Sequence, residues 1–68
     1  MELRINGDTQ NFENDQMSVH ELLEALDIPT VKGVAIAVND TVVSQSAWAD
    51  SAVCDGDRIE IIRATQGG

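Results

Sequence analysis

The sequence predicts a two-layer α+β domain, on three observations. An alternating apolar run closes on Asn6-Gly7, a single helix is signalled at both ends between Ser18 and Pro29, and three further strand-like runs follow it. Two hairpins flanking one helix must cover that helix's apolar stripe with a sheet face, because neither layer can bury its apolar side alone.

Met1 to Asn6 alternates, with Leu3 and Ile5 on one face and Glu2 and Arg4 on the other. Asn-Gly is the strongest short-range hairpin signal, since both residues tolerate positive φ. The return strand is placed at about Thr9 to Glu13 with Phe12 inward, and Asn14-Asp15 breaks it. Ser18 and Glu21 have capping-box spacing, and Met17 with Leu22 fits the hydrophobic staple. Leu22, Leu23 and Leu26 continue an apolar stripe at helical spacing. Pro29 disfavours helix at Ile28, so the helix should stop near Asp27.

Gly33 to Val38 is short, apolar and β-branched, and reads as a buried central strand. Asn39-Asp40 signals a turn, and Thr41 to Ser44 supplies the partner strand. Ser46 is a candidate cap for one helical turn through Ala47, Trp48 and Ala49. Asp55-Gly56-Asp57 reads as a tight turn into a last strand, Arg58 to Ala64, with Ile59 and Ile61 on one face. The helix acts as a crossover, so the first and last strands can lie parallel at the sheet centre. That arrangement is the β-grasp, or ubiquitin-like, fold: a mixed four- to five-stranded sheet packed on one main helix. The expected division is a folded body, residues 1–64, and a flexible C-terminal tail, residues 65–68.

With 68 residues the chain is one small domain. A domain of this size buries only roughly 60% of its unfolded surface, which leaves little volume to enclose a cofactor. A binding, carrier or adaptor role fits better than a self-contained enzyme. Acidic residues outnumber basic ones 12 to 4, for a net charge of −8. Neutralising a phosphate backbone takes clustered Lys and Arg. Arg4, Lys32, Arg58 and Arg63 are scattered, which points away from nucleic acid and from anionic membranes. The charge serves either solubility or steering toward basic patches on a partner. A lone Cys54, with no signal segment and no membrane-length apolar run, reads as a cytoplasmic chain in a reducing compartment.

The sequence ends in Thr65-Gln66-Gly67-Gly68. By themselves two terminal glycines leave two readings open, an incidental end or a thin tail able to enter a partner's narrow active site. Cys54 reads as a small buried hydrophobe, with no nearby His or Lys to activate it. His20 lacks a second ligand at useful spacing for a metal. Trp48 is expected to close one end of the core, and Asp55 and Asp57 to serve the turn.

Taken in order, several pieces resemble one family. They are Asn6-Gly7, the Val19-x-x-Leu22-Leu23 helix, the Val34 to Asn39 strand, Val42-Val43 followed by Trp48, the Asp55-Gly56-Asp57-x-Ile59-Glu60 turn, and Gly67-Gly68. Over its whole length the chain resembles the ThiS family, the sulfur carriers of thiamine biosynthesis. The resemblance implies that Gly68 carries the sulfur. A ubiquitin-activating-type adenylyltransferase would use ATP to adenylate the Gly68 carboxylate. Sulfide equivalents from a sulfur-donating enzyme would displace AMP, and a thiazole synthase would take the sulfur from the resulting thiocarboxylate. Gly67 keeps the approach thin, while Thr65 and Gln66 set reach and register. No cofactor is expected on the chain, since Asp55-Gly56-Asp57 is acidic and lacks a phosphate-binding Gly/Lys spacing.

Rival readings are a sulfur carrier for molybdopterin, a ubiquitin-like protein modifier, and a passive β-grasp binding module. Molybdopterin carriers tend to be longer and richer in phenylalanine, whereas Phe12 is the only one here.

Overall fold

A computed structural model describes residues 1–28 and 33–63. Pro29, the end of the last strand at Ala64, and the 65–68 tail, with Thr65, Gln66, Gly67 and Gly68, lie outside the described residues.

Strands β1 (Glu2–Ile5) and β2 (Asp8–Asn11) form the first hairpin. Asn6 and Gly7 have φ of 51° and 88°, the positive pair that a two-residue type I′ turn requires. This turn pairs Ile5 with Asp8, so β2 starts one residue earlier than expected and ends at Asn11. Phe12 follows it and packs, half-buried, against the core, as expected.

Helix α1 (Val19–Ala25) begins with every exposed backbone donor accounted for. The capping box is complete: Glu21 N–H donates to Ser18 Oγ at 3.0 Å and Ser18 N–H to Glu21 Oε1 at 2.9 Å. Val19 N–H reaches the Ser51 carbonyl at 2.8 Å and His20 N–H that of Trp48 at 3.2 Å. Those four donors are the ones a helix start leaves without internal partners. The helix ends in a Schellman motif, with Asp27 at φ 59°. Ile28 N–H bonds the Leu23 carbonyl at 2.9 Å, and Asp27 N–H bonds that of Glu24 at 3.0 Å.

One pairing was not expected from the sequence. Strand β3 (Met17–Ser18) lies antiparallel to β6 (Ala52–Val53) as a separate two-stranded sheet. It ties the helix start to the segment after Trp48, and puts Met17 and Val53 into the core.

The main sheet is five-stranded, in the order β2-β1-β7-β4-β5, with β4 Val34–Val38, β5 Thr41–Val43 and β7 Arg58–Arg63. As expected for a β-grasp, β1 and β7 are parallel neighbours and β7 is central. Helix α1 covers one face through Val19, Leu22 and Leu23, which meet Leu3, Ile5, Ile36, Ile59 and Ile61. Val34 to Val38 does not form a strand buried on both sides, contrary to expectation. Only Ile36 is fully buried, because alternate residues face opposite sides and the outer side is open.

Asn39 and Asp40, at φ 51° and 70°, make a second type I′ turn. The expected helical turn is a 3₁₀ turn, Gln45–Ala47, and Ser44 rather than Ser46 precedes it. The Ser44 and Ser46 hydroxyls lie 3.2 Å apart, so neither needs a backbone partner. Trp48 closes the core at 3% exposure, and its Nε1–H donates to the Val43 carbonyl at 2.9 Å.

Candidate functional site

β7 is the element that leads to the candidate site, and its neighbours determine how it is held. β4 pairs with it in five rows, from Val38↔Ile59 to Val34↔Arg63. β1 pairs in two, Arg4↔Arg58 and Ile5↔Ile59, because the Asn6-Gly7 turn then carries the chain away. At the start of β7, Asn39 Oδ1 accepts from Arg58 N–H at 3.0 Å and Asn39 Nδ2–H donates to Asp57 Oδ1 at 3.1 Å.

The preceding turn is built from its acidic residues, as expected. Asp57 Oδ2 accepts from Cys54 N–H at 2.8 Å, and Asp55 Oδ1 accepts from Glu2 N–H at 2.6 Å. Gly56 has φ 88°, which favours glycine, and its N–H bonds the Glu2 carbonyl at 2.7 Å. Both carboxylates are thus committed to fixing where β7 begins.

The sheet face away from α1 is open. Across it, Ile62 on β7 lies opposite Ala35, and Val42 on β5 lies opposite Ala37. Ile62 is 61% exposed and Val42 75%, and these are the two large apolar side chains left in solvent among the described residues. On the same face Arg4, Arg58 and Glu60 join Gly7, Asp40 and Ile59 in lining a cleft of about 220 Å³. Arg58 donates to Asp40 Oδ2 at 2.9 Å. The cleft is smaller than the roughly 300–1,000 Å³ of small-molecule sites, and its two cations face two anions.

Cys54 is exposed, which overturns the expectation of a buried hydrophobe. Val53 takes the inward place and strand alternation turns Cys54 outward, where its Sγ lies 4.0 Å from Gln16 Nε2. His20 stands a helical turn from Glu24, Nε2 to Oε2 at 3.8 Å, with its side chain 45% exposed. Among the described residues no three His, Cys, Asp or Glu side chains converge as a metal site requires. The four tail residues singled out in the sequence, Thr65, Gln66, Gly67 and Gly68, lie outside the described residues, directly downstream of β7. The exposed Ile62 and Val42 were not singled out as site residues. Their signal in the sequence is apolar residues at outward positions of strands.

Comparison with known proteins places these features. The model of the ThiS family matches residues 3–68, through Gly68. The Escherichia coli sulfur carrier protein ThiS is 43% identical over 51 residues, 75% of this chain and 76% of that protein. A thiazole synthase of Paramagnetospirillum magneticum is 41% identical over all 68 residues, and the chain spans 20% of its length. The crystal structure of the thiamine biosynthesis protein ThiS from Geobacter metallireducens superposes with a TM-score of 0.87 at 30% identity, covering 100% of both chains. The solution structure of a Geobacter metallireducens thiamine biosynthesis protein gives 0.83, also at 30% identity, and this chain covers 88% of it.

Proposed function

The chain belongs to the ThiS family, and on that premise we propose that the Gly68 carboxylate carries sulfur for thiazole formation in thiamine biosynthesis. The observation that supports this most directly is the family match, which runs through the diglycine end on a chain of matching fold. Five residues follow Arg63. Extended, they span at most about 18 Å, enough to carry a carboxylate into a neighbouring active site.

The chemistry explains why glycine is the acyl residue. A carboxylate is a poor electrophile, since oxide does not leave. Adenylation by ATP converts one oxygen into an AMP leaving group and releases pyrophosphate. A sulfur nucleophile then adds to the carbonyl and expels AMP, which leaves a thiocarboxylate. At each attack Gly68 offers no side chain to block approach, and Gly67 keeps the segment thin. Thr65 and Gln66 set its length.

The chain acts in this reading as a co-substrate rather than an enzyme. ATP binding belongs to a ubiquitin-activating-type adenylyltransferase, and the sulfur comes from a separate donor enzyme in the cytoplasm. The small, charge-balanced cleft on the sheet supports that division. The acceptor is a thiazole synthase, supported by the relative of that name that holds a segment 41% identical to the whole chain. The exposed face with Val42 and Ile62 is the surface these partners grip, since it carries the large apolar side chains left in solvent and lies beside the strand leading to the tail.

Intact mass tests the reading, after incubation with ATP, the activating enzyme and a sulfur donor. An oxygen-to-sulfur gain on the full chain, absent when Gly68 is deleted, is the expected result. High-mass conjugates in place of that gain would make the chain a protein modifier. No change at all, with an enzyme active on its own carrier, would return the tail to an incidental end.

A further inference from the structure

Asn6 makes a contact that the turn alone does not require. In a strand, alternate peptide groups point to opposite neighbours. Asn6 N–H donates to the Ile59 carbonyl at 2.9 Å, the last bond that the β1 backbone gives to β7. The next peptide groups facing that side are those of Ile61, and the β1 backbone has by then turned away.

The Asn6 carboxamide takes over there. Its Oδ1 accepts from Ile61 N–H at 2.8 Å, and its Nδ2–H donates to the Ile61 carbonyl at 3.2 Å. One side chain thus reproduces the paired donor and acceptor of a continuing strand. Few residues can do this from such a position. The side chain must be short, must hold both a donor and an acceptor, and must tolerate a φ of 51°, which Asn does more readily than most residues. Aspartate lacks the donor, and glycine lacks the group altogether.

We infer that Asn6 is a positioning residue for the transfer chemistry proposed at Gly68, acting through β7. The inference rests on the carrier reading and adds a residue to it. Ile61 lies two residues before Arg63, so among the described residues the carboxamide clip is the last hydrogen-bonded contact on the β1 side that sets the direction of β7. Partners that grip the sheet face need the carboxylate at a fixed place relative to that face. A misplacement near 1 Å can cost on the order of a hundredfold in rate.

The test measures thiocarboxylate formation by intact mass against carrier concentration, for the unaltered chain, Asn6→Gly and Asn6→Asp. Glycine keeps the positive φ and removes both bonds. Aspartate keeps the shape and loses the donor until it is protonated. The expected result is a kcat reduced roughly tenfold or more in Asn6→Gly, with KM within about twofold because the gripped face is intact. Hydrogen exchange at the Ile61 amide should be faster, while Glu60 and Ile62, which face β4, stay protected.

For Asn6→Asp, activity relative to the unaltered chain should recover as pH falls toward the ordinary carboxylate range, about 4, where the acid regains an O–H donor. An unchanged kcat alongside faster Ile61 exchange would reduce the clip to a structural role and overturn the inference. A rise in KM with kcat unchanged would overturn it as well, by placing Asn6 in the docking face. Failure of the unaltered chain to gain sulfur would instead remove the carrier reading itself, and with it this inference.

Discussion

Along its β4 side, β7 meets a backbone partner in every row from Ile59 to Arg63, whereas along its β1 side strand pairing stops at Ile59 and the Asn6 carboxamide follows. The first arrangement spreads the hold over five rows, so it depends weakly on which side chains are present. The second concentrates the hold at one position, where residue identity decides everything. A strand that leads to the proposed transfer site can thus be made robust on one flank and sensitive on the other.

The largest break of that contrast comes from the packing beneath it. Ile36 on β4 lies opposite Ile61 and is 1% exposed. Ile36→Ala removes buried methyl groups from a small core and should cost about 2–5 kcal/mol, read as a lower urea midpoint. Such a loss takes much of the stability a small domain has. Asn6→Gly should cost less, about 1–2 kcal/mol for two part-buried hydrogen bonds to Ile61, partly offset because glycine adopts the positive φ freely. Its loss of amide protection should centre on Ile61, whereas that of Ile36→Ala should spread across the sheet.

Asn39→Gly sharpens the comparison. Asn39 grips the start of β7 much as Asn6 grips its later part, but at an exposed site beside an intact β4 ladder. The expected cost is about 0.5–1 kcal/mol, with transfer kinetics unchanged. The smallest effect has the opposite sign. Asp27 occupies a left-handed position at the helix end, away from β7, and Asp27→Gly should raise stability by about 0.5 kcal/mol in thermal unfolding.

Much of the fold was legible because it is encoded locally. Asn6-Gly7 specifies a turn, Ser18 with Glu21 specifies a helix start, and both formed as read. The β3–β6 pair was not legible, since two-residue strands show no periodicity. The single apolar run from Val34 to Val38 concealed an open outer face, because Ala35 and Ala37 count as apolar wherever they point. Cys54 was misread because the direction of one side chain after a two-residue strand depends on where that strand pairs. At the candidate site, a glycine tail leaves no pattern of its own, so its meaning came from resemblance along the whole chain. The second role of Asn6 was hidden differently: the residue already had a sufficient explanation in the turn.

The central place of β7 also has a mechanical consequence. A pull on the tail loads β7 along its axis, against five rows of β4 and, on the other flank, against the Asn6 clip at Ile61 and the β1 pairing behind it. A load in that direction is shared by the bonds across the strand, because they lie perpendicular to it and are sheared together. A body built this way resists unravelling from the end of β7.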